Sequence, residues 1–301
     1  MNVRLCSTAA ALFLLIPALH AQQTNIDEFF RNFTAEWVRN NPNLATSSRY
    51  FTGEEQSRLE RQLTPETLAY RRSRIVLARR GLAELAKFDR SKLTETQRVS
   101  AELMQWDLDT IVHEEPYLDY SFPLQQMSGA NVNLVETLTV RHPLATGKDA
   151  ENYLAALGEV GTRMDEAIAE SRRLAAENFI PPKFILEATI KQMSSFVDQA
   201  PAQNPFAAIF SQKLDAIKDL SAARRNELRS EAAKIVETQV YPAWKRGVAT
   251  LESQLPHSTD DAGLWRLKGG SDAYAYFLNR YTTTHLSPDQ IHEIGLRDGH
   301  H

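Results

Sequence analysis

Residues 148–178 read KDAENYLAALGEVGTRMDEAIAESRRLAAEN. Tyr153, Leu157, Val160, Met164 and Ile168 recur at intervals of three and four, so they share one side of a helix that turns every 3.6 residues. A half-buried strand would instead alternate apolar and polar side chains with a period of two. The stretch is too long for a strand and has the period of an amphipathic helix, and it sets the reading of everything around it.

Toward the N-terminus the same period continues. Thr94 followed by Gln97 is a capping box that opens a helix to about His113, and Pro116 and Pro123 bracket a loop. Thr64-Pro65-Glu66 has the form of an N-cap, a proline at the first helical position and an early acid, and predicts a helix to about Lys87. From Thr24 to Asn40, Ile26, Phe29, Phe30, Phe33, Trp37 and Val38 form an apolar stripe that stops near Asn41-Pro42. Toward the C-terminus, Pro181-Pro182 restarts the chain into a helix ending near Gln199. Ser221 can cap a long helix with a stripe through Leu228, Ile235, Val240, Trp244, Val248, Leu251 and Leu255. Pro242 lies inside it and should kink it, because proline removes one main-chain bond and crowds the preceding turn. Asp260 to Gly270 is a polar break, and Leu264–Lys268 is the one place where an extended piece is expected. Ser287, Pro288 and Gln290 open a last short helix, with Ile291 and Ile294 expected to pack on a Tyr274-Phe277-Tyr281 helix. The predicted fold is all-α: a multi-helix array or bundle with a kinked long helix and at most one short hairpin.

Composition agrees. Glycine contributes 12 of 301 residues, about 4% against a typical ~7%, which disfavours sheets and cofactor loops. The 43% hydrophobic and 24% charged content is that of a folded chain, with enough apolar surface to offset chain entropy. A net charge of -4 argues against a nucleic-acid partner, which requires phosphate neutralisation.

The first residues read as an address. Arg4 precedes an apolar run, Leu5 to Leu19, too short to span a bilayer; Pro17 ends its centre and Ala21 suits a cleavage site. Residues 1–21 are expected to be a signal peptide, with residues 22–301 a helical domain that is periplasmic or secreted. Cys6, the single cysteine, leaves with the leader, and so does the charge of Arg4. No membrane span is expected after that cleavage, no disulfide can form within the mature chain, and no thiol nucleophile is available.

Chemical motifs are sparse. His113-Glu114 and His292-Glu293 each lack the second histidine, one helical turn on, that a His-Glu-x-x-His zinc site needs. Asp289-x-x-His292 and Asp298-x-x-His301 resemble half of a carboxylate-bridged metal site, but both lie on one short terminal segment. There is no Gly-x-Ser-x-Gly elbow, phosphate loop or Gly-x-Gly-x-x-Gly. Arg71, Arg72, Arg74, Arg79 and Arg80 point several ways around a helix and read as a solvated face. Tyr274, Tyr276, Phe277 and Tyr281 cluster as packing residues that could also line a substrate site, and His300-His301 reads as a tail.

The C-terminal sixty residues carry a resemblance. Tyr241-Pro242-Ala243-Trp244, Gly263-Leu264-Trp265, Gly269-Gly270-x-x-Ala273-Tyr274-x-Tyr276, and Thr282-Thr283-Thr284-x-Leu286-Ser287-Pro288-x-x-Ile291-His292-x-Ile294-Gly295 are similar to the bacterial domain-of-unknown-function 885 family. Asn204-Pro205-Phe206 and the order of the helices extend the likeness. The resemblance implies a mostly helical, exported protein of a group regarded as zincin-like metallopeptidases, whose members typically run about twice this length. Their zinc motif lies beyond the Ile-His-x-Ile-Gly segment, so the resemblance carries no catalytic or metal-binding residue onto this chain. It marks Gly269, Gly270, Tyr274, Tyr276 and His292 as family-motif residues that could line a substrate site. The expectation is therefore the front part of a metallopeptidase-like domain, cut short by truncation, frameshift or clipping, and inactive alone. Zinc is implied for the full-length family and not for this chain, and the implied partners are a peptide substrate or a complementing C-terminal half. Such a chain should leave an apolar patch near Trp265, Leu267, Tyr274, Phe277, Ile294 and Leu296. The alternatives are a stand-alone periplasmic helical binding or scaffold protein, and an enzyme completed by a second polypeptide.

Overall fold

The computed structural model describes residues 25–299, and every regular element among them is helical. The signal peptide expected at 1–21 and the tail expected at His300-His301 lie outside the described residues. Among the described residues no helix is long and apolar enough to cross a membrane.

The chain builds its main core on α7 (Gly147–Ala176). Thr146 accepts from the Asp149 amide while the Asp149 carboxylate accepts from the Thr146 amide, a reciprocal cap that fixes where the helix starts. Tyr153, Leu157, Val160 and Met164 are fully buried, as the spacing predicts. Around them pack α6 (Ala130–Glu136), α8 (Lys183–Val197), α9 (Pro205–Leu214), α10 (Ala222–Ile235) and α11 (Tyr241–Gln254). Trp244 of α11 stacks on Phe196 at 4.8 Å and meets the Phe206 ring edge-on at 6.1 Å. The Tyr153 hydroxyl donates to the Phe206 carbonyl (2.8 Å), and its ring stacks on Phe210.

The helix expected from Ser221 to Leu255 is α10 and α11 joined by a π-turn, Val236–Val240. Pro242 cannot donate to the carbonyl one turn back, and the wider π-turn immediately before it accommodates that lost bond. The disruption was foreseeable from Pro242; its form was not.

A second layer consists of α1 (Ile26–Arg39), α4 (Leu68–Leu85) and α5 (Glu95–His113), closed around Phe29, Phe33, Leu77, Leu85 and Leu108. Two short helices, α2 (Pro42–Ser48) and α3 (Gly53–Glu60), join the layers. Glu60 is buried and accepts from Gln56 (2.9 Å) and from Asn152 of α7 (3.1 Å).

The start of α4 differs from the sequence reading. Its N-cap is Thr67, not Thr64. The Leu63 and Glu66 amides donate to Glu159 and Glu166 of α7, each at 2.8 Å, and Thr64 bonds Asn41 and Asn43. The segment stays extended because α7 carboxylates hold its amides, an arrangement invisible to local propensity. The arginine run is exposed at Arg72, Arg79 and Arg80, as a solvated face should be, although Arg79 pairs with Glu115 and Arg80 with Glu36. Arg71 and Arg74 are half-buried instead, and Arg71 pairs with Glu170 of α7.

The extended piece expected at Leu264–Lys268 is instead a 3-10 turn over Leu264–Arg266, and no strand occurs among the described residues. Arg266 donates to the Ile180 carbonyl (2.6 Å), which pins the turn to the main core. Then come α12 (Gly270–Thr282) and α13 (Pro288–Asp298). The Ser287–Gln290 capping box forms as predicted. The predicted packing of α13 is not seen in full: Ile291 is half-buried, Ile294 is exposed, and none of its side chains is fully buried. The connection between the two helices is held by polar bonds, Asn279 to the Thr284 carbonyl and Thr282 to Thr284, so no apolar contact is needed to fix it.

Candidate functional site

The end of α5 leads through Pro116 into a 3-10 turn, Glu115–Tyr120, and α12 lies across it. Tyr276 of α12 stacks on Tyr117 at 4.9 Å and donates its hydroxyl to the Thr110 carbonyl (2.9 Å). Arg280 pairs with Glu114 at 2.6 Å. At the start of α12 the Tyr120 hydroxyl donates to the Lys268 carbonyl. Gly269 follows with φ +76, a left-handed conformation that disfavours a side chain, and a β-carbon there would sit 3.1 Å from the Tyr120 oxygen. A β-carbon on Gly270 would fall 1.7 Å from the Leu264 carbonyl. The glycine pair therefore has a backbone reason to exist: it lets the 3-10 turn and α12 close against each other.

Between α4, the end of α5 and α12 lies a cleft of about 730 Å³. Trp37, Tyr117, Tyr274, Phe277 and Tyr281 give it an aromatic lining, with Arg71, Arg74, Glu114 and Arg280 as its charged groups. Three of those charges are compensated. Arg71 pairs with Glu170 (2.5 Å) and donates to the Leu118 carbonyl (2.6 Å). Glu170 is shared with Arg173, which also pairs with Asp119. Glu114 and Arg280 compensate each other. Burial opposes the Arg280 charge, yet the Glu114 carboxylate holds that guanidinium above its ordinary basicity. Burial, reinforced by Glu114, pushes the Tyr276 hydroxyl up to about 12.

Arg74 is different. Its guanidinium lies over the Trp37 ring, 3.5 Å from the centroid, and donates to the Trp37 carbonyl (2.8 Å). Among the described residues no carboxylate reaches it within ion-pair distance. Burial holds its basicity below the ordinary value, with Tyr70 working in the opposite direction.

On the other side of α12 is a second cleft of about 860 Å³, lined by Trp106, His113, Glu115, Asp272, Tyr276, Asn279 and His285. His113 Nδ1 is 2.6 Å from the Asp109 carbonyl, and His285 Nδ1 is 3.1 Å from the Asn279 amide nitrogen.

The residues singled out from sequence are thus dispersed. Tyr274 lines the first cleft, Tyr276 the second, and Gly269 and Gly270 shape the start of α12. His292 is exposed on α13, which lines neither. Sequence reasoning missed Trp37, Arg74, Tyr117, Glu114 and Arg280 as cleft residues. Trp37 belonged to an apolar stripe and Arg74 to a basic run, and no spacing rule joins residues brought together from different helices. Among the described residues no three His, Cys, Asp or Glu side chains gather so that they could hold a metal ion. A catalytic zinc needs three such ligands, so the donor set here does not fit the metal that the resemblance implies for longer family members. The first cleft has the chemistry of recognition: aromatic faces, one uncompensated guanidinium, and the hydroxyls of Ser121 and Ser128.

No curated protein matches the chain. A solved structure from Colwellia psychrerythraea, described as a putative lipoprotein, superposes with a TM-score of 0.76 at 19% sequence identity. The match covers 89% of this chain and 49% of that one, so the chain spans about half the length of that relative; at such identity the likeness is one of fold. The family described as bacterial protein of unknown function (DUF885) matches residues 42–301, from the first residue of α2 onward, and the chain belongs to that family.

Proposed function

We propose that this chain is the N-terminal helical part of an exported, metallopeptidase-like protein, supplying a substrate-binding surface and no hydrolysis of its own. The observation that carries this reading is the cleft that Tyr274 and Arg74 line: its aromatic faces and uncompensated guanidinium are suited to holding a ligand, and the described residues bring together no ligand set for a catalytic metal. The half-length match to the Colwellia structure supports it, because the rest of such a fold is where the remaining machinery would lie. The leader-like residues 1–21 support export to the periplasm or beyond, in keeping with the description of the Colwellia protein as a lipoprotein.

The partners on this reading are a peptide substrate and a complementing C-terminal half. Trp265, Tyr281 and Leu296 are exposed near the C-terminus, at 72%, 80% and 47%, with Tyr274 and Ile294 beside them in sequence. Leu267, expected in that patch, is instead buried under the 3-10 turn, and Phe277 is half-buried. A stand-alone periplasmic scaffold or binding protein would more economically carry polar residues at these positions. The test is to assay the purified chain alone and mixed with the separately produced C-terminal half of a longer family member. The expected result is no stoichiometric zinc and no peptide hydrolysis for the chain alone, with association and hydrolysis on mixing. Zinc at one per chain with hydrolysis by the chain alone overturns the proposal, and failure to associate favours the stand-alone protein.

A further inference from the structure

We infer that the cleft beside α12 takes a ligand that joins an aromatic or large apolar group to a single carboxylate, with the carboxylate received by Arg74 on the Trp37 ring. The inference rests on the reading that this cleft binds substrate, and it names the chemical class of that substrate.

Arg71 is held by Glu170 and by the Leu118 carbonyl, and Arg280 is held by Glu114. Each is already spent on structure. Arg74 is the lining cation for which no described carboxylate is within reach, and it is half-buried. A guanidinium stays ionised in a protein, so its partial burial leaves a charge with too little solvation. The same burial holds the Arg74 guanidinium below its ordinary basicity. An anion arriving at this group restores what burial removed.

Geometry selects the anion. Stacking on Trp37 and the bond to the Trp37 carbonyl fix the plane of the guanidinium before any ligand arrives. A planar fork held in this way matches a planar carboxylate through two parallel N–H···O bonds. One uncompensated positive charge matches one negative charge. A phosphate dianion would require more, and the neighbouring arginines have none to give. The aromatic walls of Tyr274, Phe277 and Tyr281 supply the apolar half of the recognition. On a peptide the carboxylate has two sources, the chain terminus or an acidic side chain, and both present the same chemistry to Arg74.

Calorimetric titration of the purified chain tests this with four probes: N-acetylglycyl-phenylalanine as the free acid, the same compound as its C-terminal amide, N-acetylaspartyl-phenylalanine amide, and inorganic phosphate. The free acid is expected to bind about tenfold more tightly than its amide, and added salt should weaken the acid and not the amide. The aspartyl amide matching the acid shows that either source of carboxylate is accepted; its matching the plain amide assigns the chain terminus. Arg74→Gln should erase the difference between acid and amide, and Arg74→Lys should restore only part of it, because an ammonium lacks the fork. Tyr281→Ala should weaken acid and amide alike. If Arg74→Gln fails to fold, the salt dependence of the unaltered protein still decides the matter. Equal affinity for acid and amide, tighter binding of phosphate, or no binding of any probe at millimolar concentration overturns the inference. The broader proposal fails separately: hydrolysis on mixing with a C-terminal half can occur with no carboxylate preference, and a carboxylate preference can exist with no hydrolysis.

Discussion

α7 and α13 begin with the same device and end in opposite circumstances. Thr146 with Asp149, and Ser287 with Gln290, form reciprocal capping boxes, and each opens a helix with apolar side chains recurring along one side. α7 buries sixteen of its thirty residues, whereas α13 buries none of its eleven. Local signals therefore decide that a helix forms and where it starts. Whether its apolar stripe is covered depends on what other helices arrive, and that is long-range information. The stability of the molecule should be concentrated accordingly, in the layers around α7 and hardly at all in α13.

Tryptophan truncation gives the largest contrast. Trp244 is 1% exposed and touches aromatic rings from both α8 and α9, while Trp265 is 72% exposed. Trp244→Ala should cost about 3–5 kcal/mol through lost burial and the cavity left behind. Trp265→Ala should stay within about 0.5 kcal/mol of the unaltered protein. Chemical denaturation of both variants measures this directly, and comparable losses would break the contrast.

The histidines sharpen it at smaller scale. His142 is buried, with Nε2 2.9 Å from the Glu60 carbonyl and Nδ1 2.9 Å from the Pro143 carbonyl. It joins the loop before α7 to the end of α3. His142→Leu removes a donor from buried carbonyls and should cost about 1–3 kcal/mol. His292→Leu, on exposed α13, should change global stability by less than about 0.5 kcal/mol. A His292 effect as large as that of His142 would mean that α13 is packed in solution against something.

A third contrast lies in pH. Burial raises the Glu66 carboxyl above its ordinary value, and the neighbouring Glu166 adds to the shift, while Arg71 and Arg163 oppose it. A carboxyl raised on folding contributes stability below its unfolded pKa and loses it as pH rises through the folded value. Glu66→Gln should therefore stabilise the protein at neutral pH and leave it unchanged in acid below the ordinary carboxylate range. Thermal melts at the two pH values check this. An equal gain at both would show that the effect is not one of ionisation.

Most of the helices were legible in the sequence because their determinants are local. The caps at Thr94, Ser221 and Ser287 form where the spacing places them, whereas the Thr146 cap of α7 was not read from the sequence. The start of α4 was misplaced because Glu159 and Glu166, about a hundred residues along the chain, hold the preceding amides extended. The cleft was legible in part through the aromatic cluster, of which Tyr274, Phe277 and Tyr281 line it. Arg74 and Trp37 sit on separate helices, and each had a sufficient local explanation: a basic face for one and an apolar stripe for the other. Their stacking is a consequence of how α1 and α4 pack, and no periodicity within either helix encodes it.

The smallest expected effect is the most discriminating. Thr146→Ala and Ser287→Ala remove the same kind of cap, and each should cost its own helix about 1 kcal/mol. In α7 that loss cannot stay local. The first turn of α7 carries buried Ala150, and its Asp149 carboxylate also accepts from the Ala145 amide (2.8 Å). Fraying there opens the main core, so Thr146→Ala should lower global stability by the full amount. In α13 no buried side chain couples the helix to the rest. Ser287→Ala should raise amide exchange across 288–298 and leave the global denaturation midpoint where it was. If Ser287→Ala shifts the midpoint as far as Thr146→Ala does, then α13 is coupled to the core after all. Adding a complementing C-terminal half should produce that coupling: slow exchange across α13, with a global cost for Ser287→Ala in the mixture and none in the chain alone.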